Sequence, residues 1–301
     1  MERMEMSSRF HKNRKKKTVM MINRTHSGAL LAASALFVSA NAAAITVTAT
    51  SNGEELGNAI AGSGIAIDAG SISYIGASGQ AGLFFGGLAS GLGIESGILL
   101  TTGQAALAEG PNISGSAGLS LGTPGDGDLA ALAGGIANDA NVLAFDFSSD
   151  GGDLLFSYVF GSEEYNDYVG STFNDVFGFF INGVNVATIG GDPISINTVN
   201  CGNPFGSADN HCALVKNNPG TFDVEYNAFT GVLTASIVGL SAGTHKMKLA
   251  IADIGDAVWD SGVFIQAGSV KRPSTTVPEP ATLVLLGLGL AALGFRRRSR
   301  T

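Results

Sequence analysis

Acidic residues collect in three short segments. These are Gly161-Ser162-Glu163-Glu164-Tyr165-Asn166-Asp167, Phe173-Asn174-Asp175, and Asp253-Ile254-Gly255-Asp256-Ala257-Val258-Trp259-Asp260. Carboxylates in such numbers suit a hard cation, because calcium takes roughly six to eight oxygen ligands. Asp253, Asp256 and Asp260 have the spacing of a loop folded around an ion, with Glu163, Glu164 and Asp175 as partners across a sheet end. Neither an EF-hand loop nor a repeated Gly-Asp motif is present, so folding would have to bring the acids together. A second chemistry is sugar hydrolysis by a carboxylate pair such as Glu163-Glu164 with Asp256, which needs a separation of about 5 to 9 Å. The third use is structural, since Asp and Asn cap turns by bonding local backbone amides. The sequence leaves all three open.

Nucleophilic catalysis has less support. Between residues 45 and 272 the only histidines are His211 and His245, and neither lies in a serine or cysteine nucleophile motif. His245 follows Gly243-Thr244 and is expected at a strand start on the surface. Trp259 and the many phenylalanines are expected in the core. No phosphate-binding glycine loop follows a strand, which argues against nucleotide binding. The expectation is a protein that is not an enzyme.

Cys201 and Cys212 are close in sequence, and Asn203-Pro204 and Gly206 between them suit a tight loop. In an exported chain this favours a disulfide. The alternatives are a metal pair with His211, or two free thiols.

Composition limits the fold that must position these residues. The chain has 301 residues, 45% hydrophobic and 14% charged, with 43 glycines. That is too apolar for a disordered chain, and its glycine content with few charges favours an all-β domain with many turns. The net charge of −8 is unevenly spread. Residues 45–272 hold 22 Asp/Glu against five Lys/Arg, a net −17, which disfavours nucleic acid and anionic lipid and favours divalent cations.

Short β-rich runs recur from Ile45 onward. Strands are expected over Ile45–Ala49, Ile72–Ile75, Gly97–Thr102, Asn141–Phe147, Asp153–Phe160, Val176–Ile181, Val184–Ile189, Val232–Val238, Lys246–Ala252 and Gly262–Ala267. Asn182-Gly183 between two such runs is a strong hairpin signal. Ser51 with Glu54 predicts a capped helix over Glu54–Ala61, and Asp128 predicts another over Leu129–Ala133. The expected architecture is a two-sheet β-sandwich, jelly-roll-like, with one or two short helices.

The ends read differently. Residues 1–44 carry a basic segment, Lys12-Asn13-Arg14-Lys15-Lys16-Lys17, then an apolar run from Gly28 to Ala40 and small residues. This is the order of a signal peptide, with Ala42 and Ala44 satisfying the small-x-small rule and cleavage expected before Ile45. A start at Met20 or Met21 would give it a more usual length. At the other end, residues 273–280 form a spacer ending in Pro278-Glu279-Pro280, and residues 281–301 hold an apolar helix followed by Arg296-Arg297-Arg298. Its uncharged run, 281–295, is near or below the minimum for a spanning helix. The arginines would remain on the cytoplasmic side, leaving the domain outside.

The tail resembles the PEP-CTERM sorting signal through Pro278-Glu279-Pro280, the short Gly/Leu/Ala helix and the arginine cluster. That resemblance implies recognition by an exosortase-type enzyme, which removes the helix and releases the protein to the surface or to an exopolysaccharide-rich matrix. The domain resembles the choice-of-anchor L domain over most of 50–268. The residues that carry this are Ser96–Gly103, Asp139–Phe147, Phe160–Tyr165, Asn174–Phe180, Ser195–Asn200, Thr230–Ala235 and Ala250–Phe264. It departs at Tyr226-Asn227-Ala228-Phe229, where the family would have Asp-Gly after the tyrosine, so a ligand from that loop is not expected. The resemblances together imply an inner-membrane-anchored precursor that becomes a structural or adhesive surface protein, stabilised by calcium if the acids converge on an ion. The alternative is a carbohydrate-binding or carbohydrate-active module.

Overall fold

The computed structural model describes residues 44–272. Ala44 is its first residue and is exposed; Ala42, Pro278, Glu279, Pro280, Arg296, Arg297 and Arg298 lie outside the described residues. In chain order the elements are β1 (Thr46–Ala49), α1 (Gly53–Ile60), β2 (Ile65–Ile67), β3 (Ser73–Ile75), β4 (Ala81–Phe85), β5 (Ser96–Thr101), α2 (Gly127–Ala133) and β6 (Ala137–Ser162). They continue with β7 (Val176–Ile181), β8 (Val184–Asn185), β9 (Thr188–Ile189), β10 (Asp192–Ser195), β11 (Val215–Asn217), β12 (Ala228–Thr230), β13 (Leu233–Ile254) and β14 (Ser261–Gln266). The all-β expectation holds, with two short α-helices among the described residues.

Two very long strands organise the domain. β6 spans 26 residues and β13 spans 22, and they pair antiparallel from Leu233 opposite Tyr158 to Ile254 opposite Ala137. Sequence patterning alone divides each of them into two strands. The division falls where both strands bend: Gly151 and Gly152 take φ values of +84° and +96°, and Gly239 and Gly243 on the partner are also positive. The register slips there, between Ile237 and Leu240.

Side-chain parity records the bend. Leu143, Phe145 and Phe147 point into the main core from the first half of β6, and Leu154, Phe156, Tyr158 and Phe160 from the second. In a straight strand odd and even positions face opposite ways. Here the positive-φ glycines between the two halves shift the parity, so both sets line one core. Phe156 meets Phe179 of β7 at 4.3 Å between ring centroids, although β7 pairs with the other half of β13. The layers are therefore two halves of one continuous sheet, whose main path runs β1-β4-β5-β14-β6-β13-β7-β10-β9.

Secondary cores cover the outer faces. Phe84, Leu99, Val159, Tyr226, Phe229 and Phe264 cluster on one side. On the other, Leu129 of α2 packs with Val176, Phe180, Ala250 and Ala252. β7 is thus buried on both faces, which explains its run of six consecutive buried residues.

Local signals agree in kind and shift in position. α1 is capped by Asn52, not Ser51; its side chain accepts from the backbone N–H of Glu54 at 3.0 Å and of Glu55 at 3.3 Å. α2 is capped by Asp126, not Asp128. Asn182 and Gly183 both have positive φ, as a tight hairpin between β7 and β8 requires. The run expected over Val184–Ile189 is interrupted, because Asn185 Oδ1 accepts from Phe179 and Ala187 N–H and turns the chain.

Cys201 and Cys212 are joined in a disulfide, and Cys201 is fully buried. A cross-link over a sequence separation of 11 restricts the unfolded chain by about 3 kcal/mol. Replacing both cysteines by serine is expected to lower the urea-derived unfolding free energy by about that amount. A loss under about 1 kcal/mol would show that the loop is held by its other contacts instead.

A buried carboxylate cluster as candidate functional site

The fold-over of β6 has a direct effect on the acids. Asp139 lies near its start and Glu163 just past its end; in a straight strand they would be about 80 Å apart. Both reach the same pole of the domain. Glu163 N–H donates to the Asp260 carbonyl at 3.0 Å, and Asp253 pairs with Asn138 in the β13/β6 ladder. Asp175 stands before β7, where Val176 pairs with Ala252. The ends of β5, β6 and β13 and the starts of β7 and β14 therefore converge on one cluster.

Five of the six sequence-selected acids are buried: Glu163 is 0% exposed, Glu164 2%, Asp175 1%, Asp253 1% and Asp260 3%. Asp256 is half-buried at the rim, where its backbone carbonyl accepts from Asn138 Nδ2. Asp175 is the best satisfied, accepting from Ile254 N–H at 3.0 Å and Ser261 Oγ at 2.7 Å. The others are not. Both oxygens of Glu163, both of Asp253, one of Glu164 and one of Asp260 are buried without a partner in good hydrogen-bond geometry, although the Ala117 backbone lies near Glu163, Thr102 near Asp253 and the Gln104 backbone near Asp260.

Among the described residues, no cation of the protein offsets this charge. The four ion pairs there join Lys246 to Asp146, Lys248 to Asp126 and Asp128, and Arg272 to Asp150. Lys216 donates to the Gly91 carbonyl and lies over Phe222 and Phe229. An ionised carboxylate buried without a partner is strongly disfavoured. Burial, reinforced by Glu225 and Asp260, pushes Glu163 up to about 9. Burial, reinforced by Asp175 and Asp256, pushes Glu164 up to about 9. Burial lifts Asp260 to about 7, and its neighbours Asp175 and Asp139 add to the rise. Asp253 and Asp175 face each other and are both raised, first by burial; Asp256 at the rim is also raised by burial.

Residues 110–123 form a strap across the cluster. It has no helix or strand, and acids hold its backbone: Ile113 and Ser114 N–H donate to Glu225, Leu119 N–H to Asp260 Oδ1 at 3.0 Å, and Leu121 and Thr123 N–H to Asp139. Gly103 makes room beside it, since a Cβ there would overlap the Asp260 carboxylate. Asp139 and Glu225 are acids of the site that sequence patterning does not single out. Asp139 is marked by burial at a positive φ (+43°), which sequence does not reveal; Glu225 stands directly before the divergent Tyr226-Asn227. The Asn227 amide donates to the Gly115 and Glu163 carbonyls, so this loop ties strap to cluster.

Two other expectations change. His245 is buried within β13, against Phe147, with Nδ1 3.0 Å from Asn182 Nδ2 and Nε2 2.9 Å from the Ser241 carbonyl. The bend at Gly243 does not end the strand, so His245 does not start one at the surface. Trp259 is not in the core but half-exposed, 4.8 Å from Tyr168, which in turn meets Phe173.

Among the described residues, no three His, Cys, Asp or Glu side chains already stand around a common metal position. All donors at the pole are oxygens, which suits calcium or magnesium and not the softer metals that prefer nitrogen and sulfur.

The profile of the choice-of-anchor L domain matches residues 45–271, from the first strand to the end of the described fold. The chain belongs to the choice-of-anchor L family. A second profile, the PEP-CTERM protein-sorting motif, matches residues 276–298. No curated protein and no solved structure matches the chain. The choice-of-anchor L domain is therefore followed almost at once by a sorting motif, and the protein is one that exosortase-type machinery sorts, exported as a membrane-anchored precursor bound for the cell surface.

Proposed function

We propose that this chain is a non-catalytic structural or adhesive module of the cell surface or extracellular matrix, stabilised by calcium in its acidic cluster. What supports the destination is the adjacency of the two matches, with only residues 272–275 between domain and motif. What supports a non-catalytic role is that Glu163, Glu164 and Asp253 are almost fully buried, out of reach of a polymeric substrate. Calcium fits an exported acidic domain whose cluster lacks a basic partner among the described residues.

One observation favours a second reading, binding of exopolysaccharide. Tyr168, Phe173 and Trp259 form a half-exposed aromatic group beside the acids, and aromatic faces of this kind can pack on sugar rings.

Cell fractionation with intact mass measurement tests the proposal. The surface or matrix fraction is expected to contain a product beginning near Ile45 and lacking the helix after Pro280. A product that keeps residues 281–301 in the inner membrane would refute release. Loss of the protein from the matrix fraction on digesting the polysaccharide would favour the second reading.

A further inference from the structure

The calcium reading does not say which acids hold the ion. Three of them differ from the rest. Glu163, Asp253 and Asp260 together carry five of those buried oxygens. Glu163 and Asp260 are cross-strand neighbours just beyond the Ser162–Ser261 pair, joined by Glu163 N–H to the Asp260 carbonyl at 3.0 Å, and the charges of all three acids act on the buried Tyr226. Asp260 lies within electrostatic reach of both others. By contrast, Asp175 already spends its carboxylate on Ile254 and Ser261, Asp139 and Glu225 spend theirs on the strap, and Asp256 sits at the rim.

We propose that Glu163, Asp253 and Asp260 hold one calcium ion beneath the strap of residues 110–123. This rests on the calcium reading above and deepens it. The five free oxygens of these three acids approach calcium's usual coordination of about six to eight. Their unbonded oxygens are free to rotate onto an ion, whereas those of Asp175 are fixed and act to position Asp253. Magnesium is disfavoured, because it dehydrates reluctantly and keeps several waters, whereas these acids are almost fully buried.

The strap is part of the same device. Asp260 faces the ion with the oxygen that lacks a partner, Oδ2, and accepts Leu119 N–H on the other, Oδ1. Its backbone N–H also donates to the Ala117 carbonyl at 3.2 Å. Loading the ion therefore fixes Asp260, and Asp260 fixes the middle of the strap. Without the ion, Asp260 lacks that second anchor, and the strap is held less firmly.

The test uses the exported, mature protein. Terbium is the first probe, excited through Tyr226 and through Trp259, which is adjacent to Asp260. Calcium is the second, read by thermal melting and by hydrogen exchange of the peptide covering 110–123. Sensitised terbium emission, a calcium-dependent rise in melting temperature and slower exchange in the strap are expected for the native sequence. Glu163→Gln and Asp253→Asn should each abolish the emission and the rise, while Glu54→Gln, an exposed change on α1, should keep both. If both cluster variants retain native emission, this cage is wrong although calcium binds elsewhere. If the native protein shows neither emission nor a melting shift, the calcium reading itself fails. Should either variant fail to fold, exchange in the native strap decides: a rate unchanged by saturating calcium overturns the proposal.

Discussion

Stripped of divalent cations, the domain is expected to lose stability as pH rises from about 4.5 to about 9, and to regain it when calcium is added. The sign follows from the raised acids. Between those values the folded state holds protons on Glu163 and Glu164 that the unfolded chain has released. Stability therefore falls with pH in this window, being fully present below the unfolded value and lost as pH passes the folded one. Asp260 adds a smaller loss, complete by about 7. A tenfold change in proton affinity between the folded and unfolded chain corresponds to about 1.4 kcal/mol, so several buried acids together make this a change of several kcal/mol. Calcium replaces the protons as the neutralising charge, and the slope should flatten or reverse. Urea melts at pH 5, 7 and 9, with chelator and with calcium, measure it. A chelated protein that is equally stable at all three values would mean that the carboxylates are neither protonated nor strained by burial.

The second large effect is expected at Phe156. It is fully buried, 4.3 Å from Phe179 and 5.2 Å from Tyr158, and it links the two layers across the fold of the sheet. Truncation to alanine should cost about 3 to 5 kcal/mol through lost burial and the cavity left behind. If the layers did not face each other, Phe156 would have fewer neighbours and the cost would fall toward that of an exposed aromatic. Equilibrium denaturation of Phe156→Ala resolves this, with Val238→Ala, an exposed position at the bulge of β13, as the comparison.

How far sequence reaches is clear from the same residues. The hairpin at Asn182-Gly183 is legible because its chemistry is local: two residues that tolerate positive φ between two apolar runs. β6 is not legible as one strand, because Gly151-Gly152 has the composition of a turn; only the pairing of Ala242 and Leu240 across from it keeps the ladder going. The helix caps each fall one or two residues from the position expected, since Asn52 stands beside Ser51 and Asp126 close to Asp128, and all four are residue types that cap helices. At the site, residue type is enough to collect Glu163, Glu164, Asp175, Asp253, Asp256 and Asp260. It does not reveal their burial, which comes from a strap with no periodicity, held by Asp139 and Glu225 at long range. His245 escapes sequence for a related reason: a glycine that looks like a strand boundary is a bend within one.

The sheet order also sets a sequence in time. β14 is the last strand among the described residues, yet it lies between β5 and β6, near the middle of the sheet. Until Gln266 has crossed the inner membrane, the edges of β5 and β6 that it will fill stay open, and open edges recruit other chains. A chain exported unfolded from its N-terminus would deliver a domain that cannot close until nearly all of it is outside. The piece that completes it arrives just before the sorting motif. At that moment residues 267–280 can span no more than about 50 Å, so closure happens beside the membrane. A retained tail would then serve as a tether for folding as well as an address, and cutting it too early would release an open sheet.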